Sequence, residues 1–362
     1  MLNLVYFHYY HLLNLALLIK KNYELEGETT ALLVPNSCEA LVREFGLVRM
    51  EDYFLFDDLD NLAMPEINVV LHHYDFSLDK VPFFLEKFSH KKVYFSFYAD
   101  GFTNVFLNQP KRKEILSTTG AFHRDLIFFD LVNHQFDSDN CGFDLRVCDS
   151  RLNADIYNAS FFGREFSTFL DQNSLDGPVT FFALRPWGSG KFHGGLYAMP
   201  DGPMSLFDVV FEQMSFLELI RPETQLLFRK DMRDPDFSDS FCSLFQSSAA
   251  NVICLDDVIR KNFVIDAFLY HLMRGTSVNT FSFDSTLPLS FLRLGIAGKF
   301  FVGLDADLLE RAGLSKSALQ AICMKVKSLR KHCNELISKG VDLCIEEFSE
   351  TLFSVRVGKN DI

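Results

Sequence analysis

The sequence predicts an α/β protein built on two doubly wound parallel sheets. Three observations carry that prediction. Short apolar runs rich in β-branched and aromatic residues alternate with segments whose apolar positions recur at helical spacing. A polar stretch, Asp171-Gln-Asn-Ser-Leu-Asp-Gly-Pro178, breaks this alternation as a candidate interdomain linker, and the same pattern restarts after it. The 362 residues also exceed the usual size of a single core, so two domains are expected.

The elements follow in order. Leu2–Phe7 reads as a strand, and after His8 the positions Leu12, Leu13, Ala16, Leu17 and Ile19 recur at helical spacing up to Lys20-Lys21. Thr30–Val34 is a second buried strand, ended by Pro35-Asn36. Ser37 suits the N-cap of a helix carrying Leu41, Val42 and Phe45 before Gly46. Ile67–His72 is a third apolar run, Phe83–Phe88 looks helical, and Val93–Tyr98 is a strand leading to Asp100.

Beyond the polar stretch, Val179–Leu184 is a strand and Met204–Leu219 a helix with Leu206, Val209, Val210, Met214 and Leu217 on one face. Gln225–Phe228 and Asn251–Leu255 are strands, Asp256–His271 a helix, and Val278–Phe283 a strand ending at Asp284-Ser285-Thr286. Residues 301–362 read as mainly helical. The expected organisation is a Rossmann-like domain over 1–172, a second over 179–300 and a helical tail over 301–362, with no internal repeat at solenoid spacing.

Composition narrows the function classes. A formal charge of −13 argues against nucleic acid as the main partner, because phosphate-backbone binding rests on a basic field. An anionic substrate then needs a local cluster of Arg and Lys. The eight cysteines are scattered without a Cys-x-x-Cys pair, which favours a reducing compartment and argues against structural zinc. The apolar stretch Met1–Ile19 lacks a basic n-region and is interrupted by His8, His11 and Asn14, so a cytoplasmic protein is expected. Forty phenylalanines read first as core filler.

The chemistry-bearing residues stand where strand-like runs end. Val93–Tyr98 stops at Ala99-Asp100-Gly101, which places a carboxylate at a strand's carboxyl edge, where ligands bind in open α/β sheets; the same dipeptide is also an ordinary turn signal. Phe228 is followed by Arg229-Lys230-Asp231-Met232-Arg233, fitting either an anion-binding cluster or a solvated strand end. Asp284-Ser285-Thr286 suits phosphate contact at a strand-to-helix junction or simple helix capping. Leu184-Arg185-Pro186-Trp187-Gly188-Ser189-Gly190-Lys191 is a Gly-rich loop lacking the Walker A and dinucleotide spacings. There Arg185 and the backbone around Gly188 are placed to meet a nucleotide's phosphates or base; the nearby His193 reads as structural. The Asp-x-Asp triplets at Asp58, Asp137 and Asp305 are expected by chance among 48 acidic residues, and His72-His73 would point to opposite faces of a strand. No metal site is expected. Lys325, Lys327, Arg330 and Lys331 lie on a helical pattern with Val326, Leu329, Leu336 and Ile337, fitting a helix packed on its domain or contact with an anionic membrane surface.

The order of these motifs resembles the bacterial GT-B sialyltransferases, including the lipooligosaccharide sialyltransferase and polysialyltransferase families. Asn3-Leu-Val-Tyr-Phe with the helix after it is similar to that family's first β-α unit. Ala99-Asp100-Gly101 matches the position of its acidic-acidic-Gly motif, and Ser285-Thr286 its donor-phosphate Ser-Ser or Ser-Thr pair. The likeness spans residues 1–295 in outline. It implies a GT-B fold, two Rossmann-like domains facing a cleft, the first on the acceptor side and the second holding the nucleotide sugar.

The implied activity is inverting transfer of sialic acid, or a related nonulosonic acid, from a CMP-linked donor to a bacterial surface glycan such as lipopolysaccharide or capsule. The resemblance assigns Asp100 as general base, Ser285 and Thr286 as donor contacts, and no cofactor or metal. Two departures stand out: Ala99 replaces the first acidic residue, and the family's His-Pro dipeptide is absent where Arg229–Arg233 stands. Arg229 and Arg233 are therefore assigned to the leaving phosphate, with Arg185, Gly188, Lys230 and Asp231 lining the donor. The expected partners are a nucleotide sugar and a glycan, with peripheral contact at the inner membrane. A transferase with a different nucleotide sugar, and a noncatalytic nucleotide- or glycan-binding protein, are the alternatives.

Overall fold

The computed structural model describes residues 1–7, 13–61, 67–72, 92–98, 126–129, 144–146, 152–158, 160–182, 206–228, 243, 245–246, 248–249, 251–258, 265–282, 296–311, 313, 316–338 and 340–357. These fall into two compact units that divide chiefly between Gly163 and Arg164. Each carries its own sheet, and the protein is a mixed α/β molecule whose sheets are built mainly from parallel strands.

In the first unit β1 (Leu2–Tyr6) leads to helix α1 (Leu13–Leu25) and then β2 (Thr29–Val34). Helix α2 (Glu39–Glu44) leads to β3 (Tyr53–Leu55), and β4 (Ile67–His72), β5 (Lys92–Tyr98), β6 (Leu126–Phe129) and β7 (Asp144–Arg146) follow. The strand order is β3-β2-β1-β4-β5-β6-β7, parallel throughout. The chain winds outward from β1 to β3, returns to β4 and winds the other way. The order therefore reverses between β1 and β4. All five residues of β1 are buried, as a strand covered on both faces requires.

Helix α1 runs past Lys20-Lys21, where the apolar pattern stops. Lys20 pairs with Glu24 at 2.5 Å and Asp52 at 3.6 Å, so charge at this point continues the helix rather than ending it. The stop comes at Gly27, whose φ of +81° suits a Schellman turn: its N–H meets Glu24 O at 3.0 Å and the Glu28 N–H meets Tyr23 O at 3.0 Å. Ser37 does not cap α2. It lies within a 3-10 turn, Asn36–Cys38, and Cys38 occupies the N-cap without a side-chain bond. Helices α3 (Leu152–Tyr157) and α4 (Ser160–Gln172) complete the described part of the first half, α4 running across the division between the units.

The second unit repeats the winding. β8 (Val179–Phe182), α5 (Leu206–Phe216), β9 (Gln225–Phe228) and β10 (Asn251–Cys254) are followed by α6 (Leu255–Val258), α7 (Ile265–Gly275), β11 (Val278–Ser282) and β12 (Gly298–Gly303). The helix predicted over 256–271 is thus described in two pieces. Strand order is β10-β9-β8-β11-β12, all parallel, and reverses between β8 and β11. The polar stretch ahead of β8 is tied into this unit: the Gln225 N–H donates to Pro178 O at 2.8 Å, and a Cβ on Gly177 would lie 2.4 Å from Glu223 O.

The carboxyl-terminal residues depart from the expected helical tail. After β12 come α8 (Ala306–Arg311) and α9 (Lys316–Ser338), and then a hairpin of β13 (Leu343–Ser349) and β14 (Leu352–Val357). β14 pairs antiparallel with β12 and β13, extending the second sheet to seven described strands. Phe353 and Val355 of β14 are fully buried, so the hairpin is part of the core. Its alternation was masked in the sequence by a short turn and by charged Glu346, Glu347 and Arg356. Phenylalanine fills the interior as expected: Phe169 and Phe268 meet edge to face at 4.9 Å, and Phe166 contacts Phe268 at 5.7 Å.

Candidate functional site

The strands that precede the predicted site residues are described, whereas Asp100, Arg185, Gly188, Arg229, Lys230, Asp231, Arg233, Ser285 and Thr286 all lie outside the described residues. The described strands end shortly before them in sequence. Arg229 directly follows Phe228, the last residue of β9. Arg185 comes three residues after Phe182 of β8, and Ser285 three after Ser282 of β11. These three strands are neighbours in the order β9-β8-β11.

Their register aligns the ends. Phe182 of β8 pairs with Phe228 of β9 on one side and Phe281 of β11 on the other. With strands about 4.8 Å apart, the three ends lie within roughly 10 Å of one another. Three strands whose last residues are up to a hundred positions apart in sequence thus end at one edge of one sheet. That edge is the carboxyl edge at the reversal point, where doubly wound sheets bind ligands. In the first unit Asp100 follows β5, one strand beyond the β1/β4 reversal.

The ends of these strands are lined by phenylalanine, with buried polar residues between. Phe182, Phe228 and Phe281 are fully buried, and Thr180 of β8 donates to Leu219 O at 2.8 Å. Two hydroxyls differ. Thr280 and Ser282 of β11 are each 1% exposed, and neither Oγ finds a hydrogen-bond partner among the described residues. Both lie within the strand predicted over Val278–Phe283, where a hydroxyl recurring at every second residue of a buried strand is a readable signal.

The basic positions of the carboxyl-terminal helix form a second feature. Leu319, Val326, Leu329, Cys333 and Leu336 of α9 are buried, so the helix packs on its unit. Lys327, Arg330, Lys331, Asn334, Ser338 and Glu347 line an open groove of about 520 Å³. Arg330 is committed within the unit: it donates to Glu350 O at 2.6 Å, pairs with Glu347 at 3.2 Å and lies 6.0 Å from the centre of the Phe353 ring. Lys327 pairs with Glu350 at 3.4 Å. The helix is thus a packed amphipathic element in which Lys327 and Arg330 are held by neighbouring carboxylates and a carbonyl.

Among the described residues no group of His, Cys, Asp or Glu is arranged to hold a metal ion, and no helix is long and apolar enough to cross a membrane. No family model and no curated protein matches the chain. Among solved structures, a candidate UDP-N-acetylglucosamine 2-epimerase from Listeria monocytogenes aligns over 82% of this chain and 78% of its own, with 12% identity and a TM-score of 0.48. A likeness that distant carries no weight for activity.

Proposed function

We propose that the protein is a glycosyltransferase that holds a nucleotide-linked sugar at the carboxyl edge of its second sheet, and in the finer form a CMP-sialic acid-dependent sialyltransferase. The observation that supports the proposal is the adjacency of β9, β8 and β11, the strands after which the Arg229–Arg233, Arg185–Gly188 and Ser285–Thr286 segments follow in sequence. In this reading the guanidinium groups and hydroxyls of those segments serve the phosphate of a nucleotide, a role their chemistry suits.

In the proposed reaction an acceptor hydroxyl attacks the anomeric carbon while the bond to the CMP phosphate oxygen breaks. The hydroxyl proton passes to Asp100, and the oxocarbenium-like transition state collapses with inversion. Arg229 and Arg233 steady the charge growing on the departing phosphate, a role in which a permanently charged, bidentate donor replaces a titrating histidine. Ser285 and Thr286 add hydroxyl contacts, while Arg185, the Gly188 backbone, Lys230 and Asp231 line the donor. The acceptor in this proposal is a bacterial surface glycan, met through peripheral contact at the inner membrane.

Thermal shift with CMP, UDP and GDP tests the reading, because a ligand that binds the folded state stabilises it by mass action. CMP is expected to raise the melting temperature most. A UDP preference removes the sialyl donor and leaves a different nucleotide-sugar transferase. Binding without turnover on any glycan acceptor makes the protein a noncatalytic binder.

A further inference from the structure

From a buried hydroxyl that, among the described residues, sits at the strand-reversal edge without a partner, we infer that Ser282 Oγ is a hydrogen-bonding contact for the phosphate of the bound nucleotide. The inference rests on the nucleotide-binding reading above and adds a residue to it.

Ser282 is the last residue of β11, one of the two strands that flank the reversal. It extends one position beyond the Phe281–Phe182 pair, in register with Val302 of β12. A serine here is 1% exposed and has no hydrogen-bond partner among the described residues. Buried hydroxyls are nearly always paired, since leaving one unpaired forfeits the bond it made with water. An alanine would fit the same space without that penalty. A polar group kept at a cost to stability, at the edge where such sheets bind ligands, marks a contact completed by the ligand.

In doubly wound α/β sheets ligands bind outside the carboxyl ends of the strands at the reversal point, and the ligand class is that of the nucleotide reading above. A hydroxyl donor added to such an edge suits a phosphate oxygen. Thr280 is the internal control. It carries the same unpaired hydroxyl on the same face of β11, two residues back from the edge, flanked in register by Phe181 and Phe300.

The test compares wild type, Ser282→Ala and Thr280→Val by melting temperature and by calorimetric titration with CMP, UDP and GDP. Both variants are expected to melt at or above the wild-type temperature, by up to about 2–4 °C, because each removes an unpaired buried hydroxyl. Ser282→Ala is expected to weaken the preferred nucleotide at least about tenfold, the loss typical of a hydrogen bond to a charged group. Thr280→Val is expected to leave that affinity unchanged. Unchanged affinity in Ser282→Ala overturns the assignment while the nucleotide site stands. A lower melting temperature in Ser282→Ala also overturns it, by showing that the hydroxyl serves the fold. A wild type that binds none of the three nucleotides overturns both readings together.

Discussion

The rings of Phe182 and Phe281 stack across the parallel pair β8–β11, with centroids 5.4 Å apart and planes inclined by 22°. Both side chains are fully buried. Each is the last or next-to-last residue of its strand, so the contact fixes the spacing of the two strands from which the Arg185 and Ser285 segments depart.

Replacing Phe281 by alanine is expected to cost about 3–5 kcal/mol, the usual range for a buried phenylalanine. Chemical denaturation of the variant measures this directly. Nucleotide affinity should fall along with stability, since the cavity opens beneath the edge that positions the ligand. A loss below about 1 kcal/mol would mean that the strands are held at that edge by other contacts.

Two backbone positions make opposite forecasts. Glu218 occupies the left-handed region with φ of +56°, ending α5 in a Schellman turn in which the Leu219 N–H meets Met214 O at 2.8 Å. Glycine takes that conformation without the side-chain penalty, so Glu218→Gly should stabilise the protein by about 0.5–1 kcal/mol, measured as a higher denaturation midpoint. Gly303 has φ of +97°, and a Cβ there would lie 1.9 Å from Thr351 O. Gly303→Ala should destabilise by about 2 kcal/mol or more, because strain and a backbone clash add.

Burial pushes the Cys333 thiol from 9.0 up to about 12. The sign follows from the neutral form being favoured in the folded state. Below pH 9 the thiol is neutral in folded and unfolded chains alike, and its full contribution is present. Between pH 9 and about pH 12 only the unfolded chain ionises, so stability falls with a limiting slope of about 1.4 kcal/mol per pH unit from this group. Cys333→Ala should remove that component from the difference between the two stability curves. Thiol labelling of the native protein should spare Cys333 and modify the exposed Cys344.

Asp100→Asn tests the proposed base. The amide keeps the size and the turn preference of aspartate and cannot take a proton as a carboxylate does. Turnover should fall by at least about 10², with CMP affinity little changed. An aspartate that only shapes the turn after β5 would leave turnover intact, and near-normal activity in the variant would pass the role to another acidic residue such as Asp75.

Much of the architecture was legible because helices and strands announce themselves in local periodicity. The all-apolar Leu4-Val-Tyr6 and Leu226-Leu-Phe228 runs have the continuous hydrophobicity of strands covered on both faces, and both lie in strands. Boundaries were read less well where side-chain pairing overrode the pattern, as Lys20 did through Glu24 and Asp52. The hairpin of β13 and β14 was missed because exposed charges broke its alternation, and its partner β12 is distant in sequence.

By itself the sequence determined the kinds of elements present, the two successive rounds of winding, and which polar residues follow which strands. Those properties are local: side-chain stereochemistry and apolar spacing act over a few residues. The tertiary structure alone decided that β9, β8 and β11 are neighbours with aligned ends, and that Thr280 and Ser282 are buried without a partner among the described residues. Strand order and burial arise from contacts between segments far apart in the chain, where the cost of closing the intervening loops is met only by the packed sheet as a whole.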